Sequence, residues 1–511
     1  MRFLRCAAAG FLFSLAFPTV DAWYLAYLAM VPLVVELELL VRRAAAGKPR
    51  AVRAGFGAVF AFGLGLYVPL LWWIVLLDAP ALTLPWIRYP APFAIALVEA
   101  AVLGLAGAAH VFVRSRLPVP AAILFPALWC TGEWVRGSGE LGFPWGVLGY
   151  SQVPFLPTLQ LASVAGLTGL TFGIVAVNAL LAGAVLERRG RWVRSAGAVA
   201  LVVAAALWGS TRLDDPNDGP TVRAALVQPS VLSRDKWQPE NREAIFEAMA
   251  ELSRQGAARG AELVVWPETA APCYLLKDQT WRPFVEDLTT ELGVPLFVGL
   301  PDYQVRHGAS GHRVTYTNTG AYFRPDRGLD QRMDKIQLVP FGEHVPYSRF
   351  VPLLDRIDFG EADFVPGDGP VLFALGDARF GNLVCFEAIF PHLTRRYENE
   401  GADLLVNITN DSWFGAGAGA ISHKNMAVVR CVETGCGMAR CANSGISVGV
   451  DSRGRTFGET DLFVRTVSVV DVPLRQGRTV FARFGDWVGL LSRSLAGLAL
   501  IGAVARGRQT R

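Results

Sequence analysis

Charged residues are scarce in this sequence. Asp, Glu, Lys and Arg make up only 18% of its 511 residues, and 52% are hydrophobic, a balance too apolar for an ordinary soluble protein of this length. The seven cysteines are odd in number and include no CxxC pair, which argues against a disulfide framework and a zinc site. The net charge of +4 comes without a basic tract interleaved with aromatic residues, so nucleic acid binding is not indicated. The composition predicts a membrane protein.

Eight apolar segments approach the length of about 20 residues that a membrane-spanning helix needs. They lie at about 4–20, 23–41, 54–77, 90–113, 117–135, 161–186, 195–211 and 486–505. Arginine and lysine cluster after every second segment, and such residues are retained on the cytoplasmic side. The pattern predicts that both termini are cytoplasmic and that residues 213–486 are exported to the periplasm. The first apolar run could be a cleaved signal peptide, but it lacks an A-x-A-like site, so we interpret it as a retained anchor.

The chain is therefore divided into a transmembrane domain of about seven helices (1–212), an exported domain (213–486), and a last helix with a cytoplasmic tail (487–511). Within 213–486, strand-like runs alternate with helical patterns, which predicts an α/β layered domain. Strands are expected at 221–228, 262–266, 295–299, 315–323, 379–384, 403–408 and near 447 and 468, and helices at 240–259, 281–293, from about 391 and from about 422. Within 213–486, no G-x-G-x-x-G, Walker A or H-E-x-x-H motif supports a nucleotide or zincin site.

Three segments place reactive side chains in or just after apolar, strand-like runs. LVVWPE ends in Glu268, MDKIQLVPFGEHVP contains Lys335 and Glu343, and GNLVCFE contains Cys385 and Glu387. Taken singly, a cysteine at a strand end is usually a buried hydrophobe, and a lone Glu or Lys is usually solvated or ion-paired. Together they match the needs of thiol catalysis, because a thiol requires a base and its attack on a carbonyl creates an oxyanion that a cation stabilises.

In order and context, Glu268, Lys335 and Cys385 resemble the Glu-Lys-Cys triad of the nitrilase superfamily. The sequence TNDSWFG at 409–415 resembles the stretch after the nucleophile in the acyltransferase branch of that superfamily. The motifs LWCTGEWVRG (128–137), GFPWGVLGYSQ (142–152) and FARFGDW (481–487) are similar to the apolipoprotein N-acyltransferase family. The resemblance therefore covers nearly the whole chain.

This resemblance implies a polytopic helical membrane domain of about eight helices that carries an exported, nitrilase-like αββα sandwich. It also implies a ping-pong transfer of a fatty acyl chain from a phospholipid, typically the sn-1 position of phosphatidylethanolamine. The acyl chain would pass through a Cys385 thioester to the α-amine of an S-diacylglyceryl cysteine in an apolipoprotein. Glu268 would act as the base, and Lys335 with the backbone N–H of Phe386 would stabilise the oxyanion. No cofactor or metal is implied.

Further residues follow from the same resemblance. Glu343 and Glu387 would orient Lys335 and Glu268, although a structural salt bridge is nearly as good an explanation for Glu343. Trp237 would lie near the acyl chain, or it could be a buried aromatic residue. The expected substrate contacts also include Asn410, Trp413 and Phe414 in the TNDSWFG segment. Phe386 stands where many members have Tyr, so no hydroxyl role is transferred to it.

Other residues are open to structural interpretations. Residues 345–364 could form a lid that enters lipid or a core-packing loop. Cys431, Cys436 and Cys441 are expected to pack in the core, with a disulfide between two of them as an alternative, and His344 and His423 are interpreted as structural. Ionisable residues inside the apolar segments, such as Glu99, His110 and Arg493, look scattered rather than paired.

Two competing functions remain at this point. A membrane-tethered nitrilase-type amidase would use the same three residues but pass the acyl group to water. A transporter or scaffold would use the exported domain only to bind a partner, but transporters usually show repeats and paired intramembrane charges. The membrane motifs favour a lipid donor, because a hydrolase of soluble amides has no need for eight spans.

Overall fold

The computed structural model describes residues 1–48, 50–77, 85–214, 219–308, 311–347 and 364–509. The chain forms two compact units. The first comprises Met1–Val75, Ile87–Asp215 and Arg483–Arg511, and the second comprises Leu76–Trp86 and Pro216–Ala482. The domain limits inferred from the sequence stay a prediction.

The first unit is helical. Its main helices are Arg2–Ser14, Val31–Ala45, Ala51–Leu70, Ala91–Arg114, Ala121–Arg136, Ala162–Leu186, Arg191–Leu213 and Trp487–Gln509. Within the described residues, six helical segments are long and apolar enough to cross a membrane: Trp23–Ala45, Ala51–Leu76, Ala91–Arg114, Ala162–Leu186, Arg191–Leu213 and Trp487–Gly507. The other two predicted spans correspond to the shorter helices Arg2–Ser14 and Ala121–Arg136, of 13 and 16 residues.

Small residues allow the helices of this unit to approach closely. A Cβ atom on Gly10 would lie 2.0 Å from the carbonyl oxygen of Phe62, and one on Gly65 would lie 2.0 Å from that of Ala7. The helices Arg2–Ser14 and Ala51–Leu70 therefore pack backbone against backbone. Such packing suits helices in lipid, where association depends on close van der Waals contact.

Glu99, His110 and Arg493 each have a charged partner, and the prediction that these residues are scattered rather than paired was wrong. Glu99 lies 2.7 Å from Arg136 and His110 lies 2.8 Å from Glu38. Arg493 lies 3.6 Å from Asp486, and its guanidinium stacks 4.8 Å from the ring centroid of Trp134. Most partners come from a different helix, so spacing along one segment does not reveal them.

The second unit contains two six-stranded sheets. The first consists of β1 (Thr221–Gln228), β2 (Leu263–Val265), β3 (Leu296–Gly308), β4 (Gly311–Arg324), β5 (Gly328–Asp334) and β12 (Thr466–Pro473). The second consists of β6 (Leu372–Leu375), β7 (Ala378–Val384), β8 (Leu404–Thr409), β9 (Gly437–Ala442), β10 (Val448–Val450) and β11 (Thr456–Phe457). Their orders are β12-β1-β2-β3-β4-β5 and β11-β10-β9-β8-β7-β6. In each sheet three central strands are parallel, β1-β2-β3 and β7-β8-β9, and the flanking strands are antiparallel.

The two sheets face each other through aromatic side chains. Phe297 of β3 packs on Phe373 and Phe380 of the other sheet, with ring centroids 5.1 and 5.4 Å apart. The helices Arg242–Ala258 and Trp281–Leu292 cover the first sheet through a core that includes Phe246 and Trp266. On the second sheet, Tyr397 of the helix Pro391–Glu400 lies over Gly381, and the helix Ala418–Thr434 is the other main helix of this half. The expected αββα sandwich is confirmed.

The strongly apolar strands were predicted correctly, whereas β5, β6, β9 and β11 were missed. β5, with the sequence GLDQRMD, lies at a sheet edge, so its polar side chains do not show the alternation of a half-buried strand. β9 lies in the sheet centre but carries the charged Arg440, which is fully buried. The helix Ala418–Thr434 begins four residues before the expected start, because its first three residues, Ala-Gly-Ala, are too small to show an apolar helical periodicity.

Candidate active site

The predicted site residues follow the carboxyl ends of strands. Glu268 follows β2, Lys335 follows β5 directly, and Cys385 follows β7 directly. Asn410 comes immediately after β8. Ligand sites in α/β sheets form at such strand ends, because the strands of the core position the residues that follow them.

Glu268 is buried and its carboxylate is held from three directions. Its Oε1 accepts hydrogen bonds from Asn318 Nδ2 at 2.8 Å and from Lys335 Nζ at 3.4 Å, while Oε2 accepts one from the backbone N–H of Asn410 at 2.7 Å. Thr269, the next residue, has a φ of 46°, a conformation that residues with a side chain rarely adopt. The carboxylate is therefore fixed in orientation.

Lys335 is the buried cation of the site. Its side chain is 1% exposed, and Nζ donates to Glu343 Oε1 at 2.8 Å as well as to Glu268. Burial alone would lower the pKa of Lys335, but the charges of Glu343, Glu268 and Cys385 raise it well above its ordinary value. Lys335 is therefore a permanent ammonium group with donor capacity left for a substrate oxygen.

Asn318 is a site residue that the sequence analysis missed. It lies within β4 and its Nδ2 donates to Glu268 at 2.8 Å and to Glu343 at 3.1 Å, so it joins the two carboxylates. The backbone carbonyl oxygen of Asn318 also accepts a hydrogen bond from the backbone N–H of Lys335 at 2.7 Å. The available signal was an asparagine in the middle of a strand-like run, a position where a buried amide needs partners.

Cys385 directly follows β7 and is the first residue of the short helix Cys385–Ile389. Its φ of 51° is left-handed, and a cysteine adopts such a backbone only where the surrounding structure holds it. The residue is partly exposed. Burial raises the pKa of the Cys385 thiol, and the charge of Glu268 raises it further while Lys335 lowers it. The resting group is therefore a neutral thiol that needs a base.

Glu387 supports the site through the backbone. It is fully buried, and its carboxylate accepts the N–H groups of Ile336 at 2.6 Å, Gln337 at 3.0 Å and Val384 at 2.7 Å. These bonds tie the residues after Lys335 to the strand before Cys385. Burial raises the pKa of Glu387 to about 7, even though the three N–H groups and Lys335 favour its ionised form.

The aromatic residues expected to contact substrate differ in their surroundings. Trp237 is 48% exposed, so the alternative that it is a buried core residue was wrong. Trp413 and Phe414 are partly exposed and belong to the short helix Asp411–Phe414. Phe386 is largely buried, with its ring edge-on to Phe390 at 5.0 Å. The amide oxygen of Asn410 already accepts bonds from Ser412 and Asn443.

Some expectations concern other parts of the chain. Cys431, Cys436 and Cys441 are buried and have free thiols. They therefore pack in the core and form no disulfide with one another. Most of the expected lid, residues 348–363 with Phe350, Leu353, Leu354 and Phe359, lies outside the described residues.

The comparisons with known proteins cover both units. Residues 9–180 match the apolipoprotein N-acyltransferase N-terminal domain, and residues 223–480 match the carbon-nitrogen hydrolase family. An apolipoprotein N-acyltransferase from Geobacter metallireducens is 34% identical over 99% of this chain and 96% of its own. The chain belongs to the apolipoprotein N-acyltransferase family.

Other members of the apolipoprotein N-acyltransferase family agree. The relative from Gloeobacter violaceus is 34% identical over 99% of this chain and 95% of its own, and that from Chlorobaculum tepidum is 30% identical over 98% and 96%. The chain is an acyltransferase, and the resemblance of its sequence to the apolipoprotein N-acyltransferase family is confirmed.

Among solved structures, an amidase from Nesterenkonia sp. is 21% identical and covers 50% of this chain and 91% of its own, with a TM-score of 0.38.

The raised pKa of the Cys385 thiol predicts how its alkylation depends on pH. Below the pKa, the thiolate fraction grows about tenfold per pH unit, so we expect the rate of carboxamidomethylation by iodoacetamide to rise about tenfold per unit between about pH 7 and pH 9. Mass spectrometry of the modified peptide in a Cys273→Ser background measures it, and Cys385→Ala defines the background. A plateau of the rate below about pH 8 would show that the thiol is already ionised and contradict the prediction.

Proposed function

We propose that this chain transfers a fatty acyl group from a phospholipid to the N-terminal amine of S-diacylglyceryl cysteine in apolipoproteins, through a thioester on Cys385. The observation that carries the proposal is the gathering of a buried carboxylate, a buried ammonium and a thiol after the ends of β2, β5 and β7, in a member of this acyltransferase family. The preferred donor position is the sn-1 ester of phosphatidylethanolamine. The same three groups are what acyl transfer through a thiol requires.

In the first half-reaction, Glu268 takes the proton from Cys385 as Sγ attacks the ester carbonyl. The C–S bond forms and a tetrahedral oxyanion results. When this intermediate collapses, the ester C–O bond breaks, and Glu268 returns the proton to the oxygen of the lysophospholipid that leaves. The carboxylate is suited to both steps, because Asn318 and Asn410 hold it in one orientation.

In the second half-reaction, the α-amine of the diacylglyceryl cysteine attacks the thioester carbonyl. Glu268 takes a proton from the attacking nitrogen, the C–N bond forms, and the C–S bond breaks. The thiolate that leaves is reprotonated by Glu268, which restores the resting thiol. Because the lysophospholipid leaves before the amine arrives, the reaction is ping-pong.

Lys335 and the backbone N–H of Phe386 stabilise the oxyanion in both halves. Lys335 can serve because two of its three hydrogens are directed at Glu268 and Glu343, which leaves one for the substrate oxygen. Glu343 holds the ammonium in place, and Glu387 holds the backbone that follows Lys335 and the backbone that precedes Cys385. These groups are fixed before the substrate binds, which is the condition for effective electrostatic catalysis.

The partners and location follow from the family and the sequence. We propose a bacterial inner-membrane protein with both termini in the cytoplasm and the carbon-nitrogen hydrolase domain in the periplasm, as the arginine distribution predicts. The donor is a membrane phospholipid and the acceptor a diacylglyceryl apolipoprotein. Trp237, Trp413 and Phe414 contact the acyl donor, and the exposure of Trp237 supports this assignment. Asn410 acts through its backbone N–H on Glu268.

The proposal is tested by following the acyl group. Purified full-length protein in detergent is incubated with phosphatidylethanolamine labelled in its sn-1 chain and a diacylglyceryl-cysteine peptide. We expect the label on the peptide amine, with lysophospholipid as the other product. Labelled free fatty acid without acylated peptide would mean transfer to water, the amidase-like alternative, and would overturn the transferase proposal.

A further inference from the structure

Three side chains next to the candidate nucleophile have no role in the mechanism above. Asp411 begins the short helix after β8, His423 lies in the helix Ala418–Thr434, and Arg440 lies in β9. Each is at most 1% exposed. A histidine, a carboxylate and a guanidinium buried together form a polar cluster that is costly to bury unless its members satisfy one another.

His423 connects this cluster to Cys385. Its Nε2 lies 3.1 Å from the carbonyl oxygen of Cys385. A carbonyl oxygen only accepts, so Nε2 must carry a hydrogen and donate it. The other ring nitrogen, Nδ1, lies 2.9 Å from Asp411 Oδ1 and 3.1 Å from Arg440 Nη2. The imidazole is therefore held at both nitrogens.

Asp411 is anchored to the sheet in turn. Arg440 Nη2 donates to its Oδ2 at 2.6 Å, and Thr409 Oγ1 donates to its Oδ1 at 2.7 Å. Arg440 also donates to Asn407 of β8. Burial alone would raise the pKa of Asp411, but Arg440 and His423 hold it well below its usual value. A rigid chain of hydrogen bonds thus runs from the central strands β8 and β9 through His423 to the backbone of Cys385.

The same three positions could suggest a cation site, because donor atoms of Cys385, Asp411 and His423 lie within 4.8 Å of one another. However, both nitrogens of His423 already have partners, and the guanidinium of Arg440 adds a positive charge beside the carboxylate. A cation would have to displace these bonds. The arrangement therefore favours a positioning network.

The bond to Cys385 has a consequence at the next residue. The carbonyl of Cys385 and the N–H of Phe386 belong to one planar peptide group, and in a trans peptide they point in opposite directions. A donor that holds the carbonyl therefore also sets the direction of the Phe386 N–H. Cys385 has a left-handed backbone, with a φ of 51°, so this peptide orientation needs external support. Phe386 is also the second residue of a short helix, whose first N–H groups have no partner within the helix.

We propose that His423 is a positioning residue that fixes the Cys385–Phe386 peptide plane and thereby directs the Phe386 N–H to the site of the oxyanion. Asp411 and Arg440 hold the imidazole in the required orientation. This assignment rests on the proposed function, because it matters only if an oxyanion forms at Cys385. His423, which the sequence analysis interpreted as structural, thereby has a defined effect on the chemical step.

Two replacements of His423 distinguish the effect of its hydrogen bond to Cys385 from the effect of its aromatic ring. His423→Gln retains an N–H donor where Nε2 stands, whereas His423→Phe retains a ring against Phe414, 5.5 Å away, but has no donor. In the acyl-transfer assay with full-length protein, we expect His423→Phe to lower kcat by about 10- to 100-fold with the KM for phospholipid changed less than about twofold. His423→Gln should recover activity to within about fivefold of the original. His392→Phe, an exposed histidine at the start of the helix Pro391–Glu400, is the matched control and should leave kcat unchanged.

Thermal unfolding is measured for every variant, and His423→Leu is the donor-free replacement if the Phe variant does not fold. Full activity in a folded donor-free variant would overturn the proposal, and so would equal losses in the Gln and donor-free variants. Cys385→Ala in the same assay separates the two levels of inference. If Cys385→Ala still transfers the acyl group, the proposed function is wrong. If Cys385→Ala is inactive but a donor-free His423 variant is fully active, only the role of His423 is wrong.

Discussion

Replacing Cys385 with alanine is expected to abolish both the covalent intermediate and acyl transfer. Without Sγ no thioester forms, and the remaining groups can only bind the phospholipid and polarise its ester. We expect turnover to fall by at least about 10⁴-fold, since loss of a nucleophile removes the whole covalent route. The measurement is trapping of labelled acyl group on the protein in the absence of acceptor, with release by neutral hydroxylamine, followed by the peptide assay.

Cys273 provides the matched control for this experiment. All seven cysteines lie in the described part of the chain, and Cys273 and Cys385 are the two that are partly exposed while the others are buried. Cys273 packs against the core of the first sheet and not in the candidate site. Cys273→Ala should therefore retain the hydroxylamine-sensitive label. Label that persists in Cys385→Ala, or that disappears only in Cys273→Ala, would mean that Cys385 is not the nucleophile.

Replacing Lys335 with methionine is expected to lower both turnover and stability. The loss of one oxyanion donor costs about 100- to 1000-fold in kcat. The replacement also leaves the carboxylates of the buried Glu268 and the half-buried Glu343 joined only by Asn318, with no cation between them. Removing one partner of a buried ion pair typically costs about 3–5 kcal/mol of unfolding free energy. Steady-state kinetics and denaturant unfolding measure the two effects.

A second replacement separates these two effects of Lys335. Adding Glu343→Gln removes one of the unpaired charges, so the double variant should regain part of the lost stability while kcat stays low. Lys277→Met is the control, because Lys277 is a partly exposed lysine paired with Asp302, and Asp302 keeps Arg332 as a partner. It should leave kcat unchanged. Turnover that recovers together with stability in the double variant would mean that Lys335 acts only by holding the fold.

Much of this protein could be predicted from local patterns. Long apolar segments indicated the membrane class, because the hydrophobic length of a helix is a property of consecutive residues. The strands β1, β2, β7 and β8 were identified because each contains a short run of apolar residues, and Glu268 and Cys385 were singled out because each follows such a run. The motif order then indicated the family, which the relatives confirm. Edge strands such as β5 and the polar central strand β9 carry weaker signals and were missed.

The sequence by itself determined the class of protein, the layered α/β domain and the identities of Glu268, Lys335 and Cys385 as candidates. Only the tertiary structure decided that Asn318 joins Glu268 to Glu343, that Glu99 pairs with Arg136, and that His423 donates to the backbone of Cys385. The physical reason is the separation along the chain of the residues that each feature involves. Periodicity and strand ends depend on neighbouring residues, whereas these contacts join residues brought together by strand order, pairing register and helix packing, which a spacing along the chain does not encode.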